Sequence, residues 1–314
     1  MGFAFHANTL AFGGQIEEPG VRTKYLPSEA SVTLPPGGGI GEAVSGAYSN
    51  EGISFASARS YVSGSSFNEQ VYNTYAHVEV NDLDINGRIQ VQILSTTVTS
   101  MNRRDANGCT GESRIAFDAN ILGLVIDGHL IEVDFNPEPF RRWATYGEFV
   151  EAFKTMNPEE AKELIEAYNW PINECQTPPE GGPGATFHVP TRCTTGIRAS
   201  LLRKTTPKLE PGEISGITRR GYTIEVAGFG LIHLGEVLLK AGRRRVNLLR
   251  VELGKTLDSK PLLNAPLADA SGAPLTNVVG LNGAPENIAL AGPGGPGGSY
   301  TFASGEGNGT DFVP

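Results

Sequence analysis

Three oxygen-bearing side chains stand at alternate positions of one short segment. Asp82, Asp84 and Asn86 are followed by Gly87, and this spacing matches the first half of a calcium-binding loop. The twelfth position of such a loop should carry a glutamate, but Ile93 occupies it. The same residues also suit a hairpin with an Asn-Gly turn. A calcium site and a plain hairpin are therefore both open, and the pattern favours the hairpin.

Side chains that could catalyse a reaction do not form a recognisable motif. The five histidines are scattered, and His77 and His233 fall inside strand patterns. The chain has no Gly-x-Ser-x-Gly elbow, and its glycine-rich segments at 37–41 and 181–184 lack the Gly-Lys-Ser/Thr ending of a phosphate loop. We therefore expect a protein that is not an enzyme and that uses no cofactor.

The cysteines offer one candidate disulfide and no zinc-type site. The three cysteines form no Cys-x-x-Cys pair and no zinc-type cluster with histidine. Cys175 and Cys193 flank a segment rich in turn residues, where a disulfide would hold a loop that has little core of its own. Cys109 is then left over, either buried or paired between chains.

Aromatic residues offer another kind of site, because a binding module built on a sheet displays aromatic rings on a concave face. The candidates for such rings are Tyr48, Tyr61, Tyr72, Tyr75 and Trp143. For Tyr61 and Tyr75 the alternative is packing in the core or pairing across strands.

The charge balance restricts the partners. The net charge is −9 and the isoelectric point is about 5.2, which is the wrong sign for general nucleic-acid binding. We interpret the local arginine clusters, at 103–104, 141–142, 219–220 and 243–245, as a solvated face beside acidic neighbours. No apolar run approaches the roughly 20 residues of a membrane-spanning helix. No secretory signal is visible at the start, so a cytoplasmic protein and one whose signal was removed are both open.

The elements that must position these residues are mainly strands. With 40 Gly and 21 Pro, the chain favours many turns and short elements. Asn86-Gly87 and Asp127-Gly128 are favoured hairpin turns between alternating apolar runs. We predict a mainly β fold, an antiparallel β-sandwich or barrel-like domain over residues 1–260. Its strands are predicted at 30–34, 53–62, 75–80, 83–85, 89–98, 121–126, 130–135, 222–226, 231–239 and 246–253.

Two segments depart from this pattern. Thr145 and Glu148 form a capping box, and Asn157-Pro158 starts a second amphipathic run, so a helical hairpin is predicted at 145–169. From residue 261 to 314 the chain is rich in Gly, Pro and Asn, with too little apolar surface to offset the entropy of ordering. We predict a Gly/Pro-rich extended C-terminal tail there.

Four stretches together resemble the choice-of-anchor P family of uncharacterised exported bacterial proteins. They are 30–39 (ASVTLPPGGG), 74–100, 123–133 (GLVIDGHLIEV) and 223–238 (TIEVAGFGLIHLGEVL). The resemblance implies a β-rich, exported, surface-associated protein of unknown activity. It supplies no catalytic residues.

These observations give two hypotheses for the function. The first is a non-enzymatic structural protein, extracellular or on the cell surface. It would assemble with itself, as a homo-oligomer or filament, or bind a cell-surface component, through its sheet edges and C-terminal tail. The second is a carbohydrate- or ligand-binding module. A hydrolase with a non-local site and a pore-forming protein are the further alternatives.

Overall fold

A computed structural model describes residues 2–17, 24–106, 110–155, 157, 197–240, 243–257 and 297–312. These residues form two antiparallel sheets whose apolar faces pack together, with two short helices beside them. The mainly β fold predicted from the sequence is confirmed, and the arrangement is that of a sandwich.

The first sheet contains eight strands. They are β1 (Gly2–Glu17), β2 (Lys24–Thr33), β12 (Ile197–Ser200), β14 (Ile217–Arg220), β15 (Thr223–Val226), β16 (Gly230–Lys240), β17 (Arg243–Leu253) and β18 (Gly297–Phe312). Their order is β14-β15-β16-β17-β18-β1-β2, and β12 also pairs with β16.

The second sheet contains ten strands. They are β3 (Gly39–Ser45), β4 (Tyr48–Asn50), β5 (Ile53–Phe55), β6 (Ser57–Phe67), β7 (Val71–Ile85), β8 (Ile89–Arg103), β9 (Arg114–Leu122), β10 (Leu124–Ile126), β11 (His129–Phe135) and β13 (Leu202–Thr206). One path runs β13-β11-β10-β8-β7-β5-β4, while β6 joins β7 to β3, and β9 pairs with β8.

Strand β18 lies inside the first sheet, although its sequence falls within the predicted tail. It pairs with β1 on one side and with β17 on the other. Its glycines suit this position because the second sheet comes close: a Cβ on Gly305 would lie 3.3 Å from Val98 Cγ2. Residues 297–312 are thus an internal strand, whereas 261–296 lie outside the described residues.

Aromatic side chains from both sheets form the centre of the core. Phe12 on β1 is fully buried, and its ring lies 5.0 Å from that of Phe302 on β18. From the second sheet, Tyr48 and Phe55 approach Phe12 with ring separations of 5.3 and 6.3 Å. A second apolar cluster includes Phe3, stacked on Tyr72.

Both predicted hairpin turns are formed. Asn86 and Gly87 have positive φ values, and Arg88 N donates to Ile85 O over 3.0 Å. Asp127 and Gly128 likewise have positive φ and connect the paired residues of β10 and β11. The predicted strands 75–80 and 83–85 are one strand, β7.

Two helices follow β11. The first, α1 (Glu138–Arg142), was not predicted, and the second is α2 (Tyr146–Thr155). The predicted capping box is present, since Glu148 N donates to Thr145 Oγ1 and Thr145 N donates to Glu148 Oε2. The second helix of the predicted hairpin, up to residue 169, lies outside the described residues. No helix in the described part of the chain is long and apolar enough to cross a membrane.

Candidate ligand-binding face

The second sheet has a polar surface on the side away from the core, which we call the outer face. Side chains alternate along its strands, so that Ala76 and Val78 are buried while Tyr75 and His77 are more exposed. Strand pairing aligns the outer residues in rows. One row is Ser65–Asn73–Met101–Arg114, the next is Ser63–Tyr75–Thr99–Ala116, and the third is Tyr61–His77–Thr97–Asp118.

The first two rows line a groove of about 600 Å³, bounded on one side by the α1 region. Hydroxyl, amide and aromatic side chains dominate its floor, and Arg141 and Ala144 contribute from the α1 side. The groove side chains on the sheet include Ser63, Ser65, Asn73, Tyr75, Thr99 and Met101. Such a concave surface with convergent polar groups is typical of a small-ligand site.

The α1 region is attached to β9 by buried interactions. Ile115 N donates to Ala144 O, and the ring of Phe140 packs on that of Phe117. Arg244, from β17 of the first sheet, donates to Ile115 O and to Trp143 O, each over 3.3 Å. Burial lowers the pKa of Arg244 to about 10, so that it still carries its charge at neutral pH.

Helix α2 is fixed to the same region through Glu112. This carboxylate accepts hydrogen bonds from Tyr146 N and Gly147 N, the backbone donors at the start of the helix. The ring of Phe149 lies edge-on to that of Trp143, 5.8 Å away. The groove is therefore bounded by side chains held on regular, packed elements.

Tyr75 is the aromatic residue that faces the groove, with 37% of its surface exposed. Its ring meets that of Tyr61 edge to face at 5.9 Å and lies nearly parallel to the His77 ring at 6.3 Å. Burial lowers the pKa of His77, and its Nδ1 lies 3.0 Å from Thr97 Oγ1. Tyr75 is thus supported on two sides by neighbouring rings.

Two guanidinium groups lie at the groove. Arg114 donates through Nη1 to Glu148 over 3.3 Å, and Arg141 donates through Nη1 to Glu138 over 2.7 Å. Both arginine side chains are about half exposed, at 52% and 47%. Exposed pairs of this kind contribute little to stability, about 0–1 kcal/mol.

A second polar cluster lies on strands β16 and β17 of the first sheet, and its side chains are more deeply buried than those of the groove. Arg250 contacts both carboxylate oxygens of Glu236 at 2.6 and 2.7 Å and also pairs with Glu252. Burial alone would raise the pKa of Glu252, but its interactions with His233 and Arg250 lower that pKa to about 2. Each of these carboxylates is paired with the Arg250 guanidinium inside the cluster, so we assign the cluster a structural role.

The neighbouring arginines correct one sequence prediction. Arg244 and Arg245 belong to the basic run that was interpreted as a solvated face, but they are 2% and 6% exposed. Arg245 pairs with Glu306 of β18, and His6 lies 2.9 Å from the same carboxylate. The prediction was wrong for these two residues, because successive side chains of β17 are buried, Arg244 reaches the backbone of the α1 region and Arg245 pairs with β18.

The calcium candidates are placed in the hairpin. Asp84 accepts hydrogen bonds from Gly87 N and Gln90 Nε2, while Asn86 occupies the turn and Asp82 has a φ of 54°. Within the described ranges, no three His, Cys, Asp or Glu side chains come together as a metal site. Cys109, Cys175 and Cys193, including the candidate disulfide, lie outside the described residues.

The five aromatic candidates divide into two groups. Tyr72 and Trp143 are buried, and Tyr48 packs on Phe55 within the core. Tyr61 and Tyr75 lie on the outer face, where their rings contact each other across strands β6 and β7, and of the two only Tyr75 lines the groove. No sequence pattern pointed to Arg114, and Arg141 was named only within an arginine cluster on a solvated face. The period-two alternation of β7 and β8 is the signal that indicates the outer face.

The comparisons place the chain in a family. A family model described as Domain of unknown function (DUF8256) matches residues 3–240, about three quarters of the chain, so the chain belongs to this family. The match includes all the strands of the outer face and ends at the last residue of β16. No curated protein and no solved structure matches the chain. The resemblance to the choice-of-anchor P family stays a prediction.

Proposed function

We propose that this member of the DUF8256 family is a non-catalytic carbohydrate-binding protein whose ligand lies in the groove of the outer face. The observation that carries the proposal is the exposed ring of Tyr75, set among hydroxyl and amide side chains in a concave site of about 600 Å³. Ligand sites of roughly 300–1,000 Å³ combine such apolar and polar groups.

The chemistry of a sugar fits this arrangement. A pyranose ring has an apolar C–H face, which can stack on Tyr75, and a rim of hydroxyl groups. The Tyr75 ring has three polar neighbours that line the groove with it: Ser63, Thr99 and Asn73. Each of these side chains can donate and accept hydrogen bonds. Because these side chains are short and stand on strands, they lose little conformational entropy on binding.

The width of the groove suits an oligosaccharide rather than a single sugar. Its lining residues come from four adjacent strands, β6 to β9. At roughly 4.8 Å between strands, the floor extends for about 14 Å. We therefore expect a polysaccharide chain to cross the strands in contact with Tyr75.

The location that we propose with this function is extracellular or on the cell surface, where polysaccharides are displayed. Its support is the resemblance of 30–39 and 123–133 to exported proteins, together with the serine- and threonine-rich outer face.

The test is the binding of purified full-length protein to a panel of polysaccharides, followed by calorimetry with those that bind. We expect Tyr75→Ala to weaken binding at least tenfold, or about 1.4 kcal/mol. Tyr25→Ala is the control, since Tyr25 is exposed (54%) but lies on β2 of the other sheet. Equal affinities of the two variants, with unchanged thermal stability, would refute the role of the groove.

A second candidate function is self-association, through strand β3. Among the described residues β3 pairs only with β6, and its Ile40 and Val44 are 72% and 67% exposed. An edge strand with apolar side chains can pair with another copy. The described part of the tail is already paired on both sides, so the sheet edges carry this proposal.

Light scattering on the full-length chain tests self-association. The double variant Ile40→Ser with Val44→Ser should convert an oligomer to a monomer. Leu130→Ser is the control, because Leu130 on β11 is also an exposed apolar residue (59%), and it should leave the mass unchanged. A wild-type chain that is monomeric at high concentration would rule this function out.

A further inference from the structure

The two arginines at the groove restrict the kind of polysaccharide. Resting on the proposed function, we infer that the groove binds a carboxylate-bearing polysaccharide, a polymer of uronic acid, with Arg114 and Arg141 holding its carboxylates. Both residues line the groove in which Tyr75 is exposed. They are on different elements, β9 and α1, which are tied together by the Ile115–Ala144 hydrogen bond.

The α1 side of the groove differs from its floor because it carries two guanidinium groups. A net charge of −9 repels a polyanion in general, so binding to one needs specific cationic donors at the site. The outer-face acidic side chains Glu42, Glu79 and Asp118 do not line the groove, and the carboxylates that contact its two arginines are Glu148 and Glu138. A polyanion that lies across the first two rows therefore meets neutral side chains on the floor and, at the α1 side, two guanidinium groups with their paired glutamates.

The present partners of the arginines leave them accessible to a ligand. Each arginine donates to its glutamate through a single Nη1, although a guanidinium carries five N–H donors. About half of each side chain is exposed. A planar guanidinium binds a carboxylate through two parallel hydrogen bonds, which favours uronate over a neutral sugar.

The experiment compares two polymers that have the same sugar chain, one with charged carboxylates and one with neutral methyl esters. Full-length protein is titrated with polygalacturonate and with its methyl ester, in which the same sugar chain has lost its carboxylate charge. We expect the wild type to bind polygalacturonate at least tenfold more tightly. The preference should decrease between 0.05 and 0.5 M salt, since the screening length falls below about 5 Å.

Three variants separate this inference from the proposed function. The double variant Arg114→Gln with Arg141→Gln should lose the preference for polygalacturonate and keep its binding to the methyl ester. Tyr75→Ala should weaken the binding of both polymers. Arg59→Gln is the matched control, because Arg59 lies on the same face, also pairs with a glutamate and does not line the groove.

Three results would overturn the inference alone. The first is equal affinity of the wild type for both polymers, both weakened by Tyr75→Ala, which leaves the carbohydrate site in place. The second is equally tight binding of dextran sulfate, with the double variant and Arg59→Gln equally impaired, which indicates general attraction to polyanions. If polygalacturonate, alginate and hyaluronan all fail to bind while a neutral glycan binds, the inference is also wrong. Failure of every glycan removes the proposed function as well.

Discussion

Removal of the C-terminal strand distinguishes an internal strand from a tail. A chain that ends at Leu257 keeps seventeen of the eighteen strands described here and loses β18. In the intact protein β18 separates β17 from β1 and pairs with both. Truncation therefore opens a gap in the first sheet and exposes two long strand edges.

The size of the effect follows from the side chains that β18 buries. Tyr300 and Phe302 are 1% and 0% exposed and contribute to the aromatic core around Phe12. Loss of a buried aromatic side chain costs about 3–5 kcal/mol, so these two account for about 6–10 kcal/mol. Domains are stable by roughly 5–15 kcal/mol, and the unpaired backbone of β1 and β17 adds to the loss.

We expect the truncated chain to show no cooperative unfolding transition in urea and to aggregate in light scattering through the edges of β1 and β17. A synthetic peptide of residues 297–312, added during refolding, should restore a monomeric complex. The same peptide with Tyr300→Ser and Phe302→Ser is the control and should not restore it. A monomeric truncated chain with an unchanged urea midpoint would refute an internal β18.

Two further predictions concern the buried charges and the start of α2. The pKa of Glu252 is lowered from 4.5 to about 2, which corresponds to about 3 kcal/mol of stability that is present above pH 4.5 and lost as the pH falls toward 2. Glu252→Gln should therefore reduce the decrease in unfolding free energy over that pH range. An equal decrease in the wild type and the variant would show that Glu252 is not its source. Thr145→Ala removes the capping hydroxyl of α2 and should destabilise the helix by about 1 kcal/mol. Hydrogen exchange should then become faster in the α2 amides and stay unchanged in those of β7.

The features that the sequence predicted are those decided by neighbouring residues. Asn86-Gly87 makes a turn because both residues tolerate positive φ, and Thr145 with Glu148 caps a helix within four residues. The alternation of β8 likewise needs only its own residues to indicate one buried and one exposed face.

Strand β18 could not be predicted in this way, because only the short stretch Tyr300–Phe302 within it favours a strand. Gly305 and Gly307 have weak β propensity, and the preceding segment is richer still in Gly and Pro. The strand forms because β1 and β17 offer hydrogen bonds on both sides, and Gly305 suits the close approach of Val98 from the second sheet. These partners are distant in the sequence.

The groove has the same non-local origin, and this bears on how its function can be tested. Arg114 and Tyr75 are brought together by strand pairing across β7, β8 and β9, while Arg141 comes from a helix that no pattern predicted. The α1 region is held by Arg244 from the first sheet, whose position depends on the pairing of β17 with β18. Loss of β18 should therefore disturb the α1 side of the groove although β18 does not line it. Variants in the groove itself are the ones that separate binding from folding, since Tyr75, Arg114 and Arg141 all have exposed side chains whose replacement leaves the core intact.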